Sequence, residues 1–119
     1  NPLDLSHNSN SGNLVVRVLD ILDRDPAVDF IATELYVPFY GRRLNTAQAN
    51  DISVQEALKR QAAKAKKPFF VTLTPSSNEA DAIELRKALN SDGILTFPTY
   101  QRAAAAYANA LRYWRSQPE

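Results

Sequence analysis

Cysteine and methionine are both missing from this 119-residue chain, and glycine occurs only three times. Without cysteine there is no disulfide, no thiolate metal site and no cysteine nucleophile. Gly12, Gly41 and Gly93 stand too far apart to form a G-x-G-x-x-G or P-loop fingerprint, in which clustered glycines let the backbone approach a phosphate. A nucleophile-elbow serine is missing as well. Charge of either sign is not in excess: 14 Lys+Arg against 13 Asp+Glu give a formal charge of +1. No basic run is longer than Lys66-Lys67, a pair whose ordinary place is a helix end, where it complements the dipole. That balance argues against a nucleic-acid face. No apolar run approaches the ~20 residues of a membrane span, and no signal peptide precedes the first strand. The expectation is a soluble, cytoplasmic domain. Because the sequence lacks methionine and opens on Asn1, it reads as one piece of a longer multidomain protein.

What is present is ordinary globular material, 45% apolar and 23% charged, enough for one domain spanning residues 1–119. The chain is organised around Lys67-Lys-Pro-Phe-Phe-Val-Thr-Leu-Thr-Pro75. Phe69–Leu73 is short, apolar and bounded by prolines, the pattern of a strand covered on both faces. Amphipathic helices are expected on either side, over 51–66 and 78–91. Ahead of them, Leu3–Leu5 reads as a clipped extended segment and Ser6–Gly12 as a polar loop with helix-capping residues. Residues 13–24 read as a helix with Leu14, Val15, Val18, Leu19 and Leu22 on one face, ended by Asp25-Pro26. Val28–Tyr36 reads as the next strand, and Phe39–Asn50 as the one long irregular connection. Ile94–Phe97 reads as the last strand, closed by Pro98. An alanine-rich helix over 99–114 follows, with a stripe of Ala103, Tyr107, Ala110, Leu111 and Trp114. Four β segments alternating with four helices give an α/β fold, a three-layer αβα arrangement around a mostly parallel sheet.

Chemistry is sparse. His7, the single histidine, sits in the polar loop, where it could act as a nucleophile or phosphate carrier, or simply as a capping residue. Asp4 and Glu34 near strand ends could form an acid–base or magnesium pair, yet no third ligand at fixed spacing accompanies them. Gly41, Arg42 and Arg43 lie in the long connection that leaves a strand's carboxyl end, where α/β folds bind ligands. Ser76, Ser77 and Asn78 precede a helix N-terminus, which suits an anion and equally suits an N-cap. The residues expected to face phosphate or a partner are therefore Ser6, His7, Gly41, Arg42, Arg43, Ser76, Ser77 and Asn78, with no self-contained active site and no catalytic residue assigned.

Read in order, Asn1-Pro2-Leu3-Asp4-Leu5, Asp25-Pro26-Ala27-Val28-Asp29 and Lys67-Pro68 form a sequence of signposts. Leu85-Arg-Lys-Ala-Leu89, Gly93-Ile94, Phe97-Pro98 and the closing helix, with Arg102-Ala103-Ala104 and 108–113, continue it. Together these resemble the succinyl-CoA-synthetase-like, flavodoxin-like domain of the NDP-forming acyl-CoA synthetases, of the ADP-forming acetate–CoA ligase type. The resemblance covers nearly the whole chain. It implies a ligase that joins a carboxylic acid to coenzyme A with nucleotide cleavage, through an acyl phosphate and a phosphohistidine. It implies coenzyme A, ATP or ADP, and magnesium for the parent enzyme, with none bound by this segment alone. The partners it implies are coenzyme-A-binding and ATP-grasp domains or subunits.

The phosphohistidine of that family lies in a sibling domain, in a glycine-bearing motif that Ser6-His7-Asn8-Ser9 lacks, so His7 is not given that role. After the second strand, Tyr36–Arg42 offers only Gly41 where the relatives carry a glycine-bearing turn. The relatives also begin with a strand–helix unit that this chain does not contain, which leaves an open sheet edge able to self-associate. The segment is thus expected to supply a supporting or half-site surface and to show no ligase activity alone. The competing reading is a non-catalytic interaction or scaffold module. A phospho-receiver is disfavoured because Ser6-His7 and Thr74-Pro75 stand where its aspartates are needed. A flavin carrier is disfavoured because no phosphate loop follows the first strand.

Overall fold

The computed structural model describes residues 3–5, 11–36, 50–74 and 79–117. The described elements alternate helix and strand: α1 (Gly12–Arg24), β1 (Ile31–Tyr36), α2 (Val54–Lys64), β2 (Phe69–Thr74), α3 (Glu79–Ser91), β3 (Thr96–Phe97) and α4 (Tyr100–Arg115). The strands form one parallel sheet in the order β1-β2-β3. Ile31 is opposite Phe69 and Tyr36 opposite Thr74, while Val71 and Thr72 of β2 face Thr96 and Phe97. The α/β class, the parallel sheet and the αβα layering agree with the sequence reading.

Side-chain alternation along the strands explains the layers. On one face Ile31, Leu35, Val71 and Leu73 join Val15 and Leu19 of α1, Val54, Ala57 and Leu58 of α2, Leu85 and Leu89 of α3, and Ile94 in a single core. Both crossover helices sit on this face, as they must when strands step in one direction with one hand of connection. Among the described residues the opposite face is covered by α4. There Phe70 stacks on Phe30 at 5.8 Å and meets Phe97 edge-on at 5.8 Å, and Phe30 meets Tyr107 of α4 at 5.2 Å.

Three expectations change. Among the described residues the sheet has three strands rather than four, because Leu3–Leu5 is not a strand: Leu5 packs against the core while Leu3 is 63% exposed. With only two apolar residues, one of them anchored, that segment has no ladder to offset its ordering entropy. The strand expected over 28–36 begins at Ile31, because Val28 N–H donates to Asp25 O and Ala27 N–H to Asp25 Oδ1, turning the chain after α1. The strand expected over 94–97 shortens to two residues, because Ile94 N–H closes the end of α3 on Leu89 O. Gly93, at φ 80°, makes that helix stop possible.

The stripe expected on the last helix is only partly used. Ala103 is buried and Tyr107 and Leu111 are half-buried, but Ala110 is exposed and Trp114 is 71% exposed. A sixteen-residue helix spans about 24 Å, more than the short strands beneath it can cover.

Candidate functional site

Capping decides which ends of the elements meet. Ser53 caps α2 by accepting from Glu56 N–H, and Ser11 caps α1 by accepting from Leu14 N–H. Asp51 joins these two starts: its Oδ1 accepts from Asn13 N–H and Ile52 N–H, each at 2.8 Å. A hydrogen bond from Ser11, then the one from Asn13, holds the Asp51 carboxyl below its ordinary value. Gly12 lets the two segments touch, since a Cβ there would lie 2.3 Å from Ile52 O and 2.6 Å from Ser53 O.

All eight residues nominated from sequence, Ser6, His7, Gly41, Arg42, Arg43, Ser76, Ser77 and Asn78, lie outside the described residues. Their anchors are described. The connections after β1 and β2 leave from Tyr36 and Thr74, which are register partners at the carboxyl edge of the sheet. The start of α1 is tied to the start of α2 by Asp51. α2 in turn leads back to the amino end of β2, so both helix starts belong to that same carboxyl edge.

At this edge the face beneath α4 carries a polar constellation. Glu34 and Thr72 are register partners, and Thr74 Oγ1 donates to Glu34 Oε1. Glu34 is therefore engaged by a hydroxyl. Tyr100, in the first turn of α4, faces the same group. Partial burial pushes its phenol up and the Glu34 carboxylate adds to that, while the Thr72 hydroxyl pulls the other way. Thr72 Oγ1 is buried and meets no partner at full hydrogen-bond geometry among the described residues.

The arrangement sets a phenol near a carboxyl group that already accepts a hydroxyl. Among the described residues no group of three His, Cys, Asp or Glu side chains could hold a metal ion, so magnesium has no seat on them. On the core side, a cavity of about 150 Å³ lies between the end of β2, α3 and Pro98, lined by Leu73, Ala82 and Ile83 with Glu79 and Arg86. That is below the ~300 Å³ at which small-molecule sites begin. Tyr100 and Thr72 were not singled out from sequence. The available signal was the period-two spacing of Phe70, Thr72 and Thr74, which puts two hydroxyls on one sheet face.

The amino edge of the sheet is a lock rather than a site. Lys67 Nζ donates to Leu22 O at 3.0 Å and also to Asp25 O, satisfying carbonyls at the end of α1. Asp23 Oδ1 accepts from Lys66 N–H and Lys67 N–H, each at 3.1 Å. Lys67 thus caps a helix dipole, though that of α1 and not of the helix preceding it. Lys64 pairs with Asp20 at 2.5 Å beside it.

No protein-family model, no curated protein and no solved structure matches this chain.

Proposed function

We propose that this chain is a supporting domain of an NDP-forming acyl-CoA synthetase, an acid–thiol ligase working through a phosphohistidine carried elsewhere. In this reading neighbouring coenzyme-A-binding and ATP-grasp domains handle coenzyme A, ATP or ADP, and magnesium. The present domain contributes half-site surface from the segments 6–7, 41–43 and 76–78, and a cytoplasmic location goes with it. The observation that carries the reading is the meeting of two signposts of the resemblance. Asp25-Pro26 and Lys67-Pro68, remote in sequence, close on each other through Lys67 Nζ on the Leu22 and Asp25 carbonyls. Such a linked pair supports a shared scaffold better than two unrelated matches would.

An interaction or scaffold module is the second reading, favoured by the overhanging end of α4, where Tyr113 and Trp114 are 61% and 71% exposed. The coding region around this segment separates the two. A flanking domain or adjacent subunit with a Gly-His-x-Gly motif, together with an ATP-grasp domain, is expected. Their absence from both the gene and its neighbours would favour the scaffold. Incubated with acetate, coenzyme A and ATP, the chain alone is expected to form no acyl-CoA; measurable product would contradict the supporting role.

A further inference from the structure

Among the described residues β1 lies at the edge of the sheet, hydrogen-bonded to β2 on one side only. Ile31 N–H donates to Pro68 O. By the alternation of a parallel ladder, Ile31, Thr33 and Leu35 then bond toward β2, while the N–H and C=O groups of Ala32, Glu34 and Tyr36 point to the open edge. Natural edges are blunted by proline, lysine or a bulge. Ile-Ala-Thr-Glu-Leu-Tyr contains neither residue, and it pairs with β2 without a bulge.

The sequence of this edge is complementary to itself. Take two copies related by a two-fold axis through Thr33, pairing antiparallel. The outward-pointing groups of Ala32 then meet those of Glu34 of the second copy, forming hydrogen-bonded pairs. Thr33 faces Thr33 across the axis in the closer, non-hydrogen-bonded spacing, a favourable cross-strand pair. Ile31 comes opposite Leu35 on the core face. On the other face Phe30 comes opposite Tyr36, and these two rings are 44% and 50% exposed in the single chain. Each copy therefore covers the other's exposed aromatic twice over. Shifting the axis to Glu34 would set two carboxylates directly opposite and move Phe30 beyond the pairing, which costs both contributions. The Thr33-centred register avoids that clash and keeps both aromatic contacts.

We infer that the open edge of β1 binds a second copy of this chain through an antiparallel β1–β1 pairing centred on Thr33, giving a continuous six-stranded sheet. The contact is narrow, so the association is weak, below the size of a standard stable interface. This inference does not rest on the synthetase reading and survives its failure.

Light scattering coupled to gel filtration, run on the 119-residue chain from roughly ten micromolar to a millimolar, is the test. The mass is expected to rise with concentration from 13.3 kDa toward twice that value. Ala32→Pro removes an outward N–H and leaves the β2 ladder intact, so it is expected to stay at 13.3 kDa throughout. Ala32→Lys sets a lysine opposite Glu34 of the other copy in this register alone, and is expected to tighten association about fivefold. A wild-type mass that stays constant over the whole range overturns the inference, as does an Ala32→Pro chain that associates like wild type. If Ala32→Pro fails to fold, Ala32→Lys still decides: association unchanged or weakened by it would contradict the Thr33-centred register.

Discussion

Single residues carry out two unlike tasks at the glycines. Gly93 is needed for its backbone, at φ 80° with open space where a Cβ would stand. Gly12 is needed for its size, because Ile52 O and Ser53 O fill that place. Since backbone atoms must give way, Gly12→Ala is expected to lower unfolding free energy by about 1–3 kcal/mol in urea titrations, with no change in helix content by circular dichroism. The sequence placed Gly12 at the end of a polar loop and could not reveal that this residue presses on a segment some forty residues away.

Charge acts locally as well. Asp92, in the turn after α3, accepts from Gln55 Nε2 at 2.8 Å and Lys59 Nζ at 3.0 Å. Those two partners, Gln55 first, hold its carboxyl below 3.8. A carboxyl lowered on folding adds stability that is fully present above its unfolded value and is lost as pH falls through the folded one. Thermal melts should therefore decline below about pH 3.8, and Asp92→Asn should flatten part of that decline while lowering the melting temperature at neutral pH. Lys59, raised above 10.5 mainly by the same contact, loses its contribution only as pH rises beyond that value.

Among the elements, those with strong periodicity were legible and those governed by their ends were not. Leu14, Val15, Val18, Leu19 and Leu22 announced α1, and the proline-bounded Phe69–Leu73 announced β2, because burial on a fixed face leaves a periodic trace. The Gln61 amide in α2 is buried with no hydrogen-bond partner among the described residues, which the helical pattern could not reveal. Strand starts were overestimated where turn hydrogen bonds took Val28 and Ile94 out of the ladder. The lock between α1 and β2 was invisible because it joins backbone carbonyls to a lysine more than forty residues on. Lys67→Ala removes the donor to Leu22 O and Asp25 O. It should cost about 1 kcal/mol by chemical denaturation, and Lys67→Arg should recover part of that loss.

At the scale of the whole molecule, the described residues form a three-stranded sheet with three helices on one face and one on the other, and β1 lies at its edge. An open edge was expected only from the resemblance, and the self-complementarity of β1 needed the register, which fixes which N–H groups point outward. The residues nominated for phosphate or partner contact fall outside the described residues, so for that part of the site only the anchoring edge can be compared with the sequence. Amide hydrogen exchange along β1, followed by NMR at low and high protein concentration, tests this account most directly. Ile31, Thr33 and Leu35 should be protected at every concentration. Ala32, Glu34 and Tyr36 should exchange quickly in dilute solution and slow as concentration rises. Equal protection of all six amides in dilute solution would contradict it, because β1 would then be paired on both sides within a single chain.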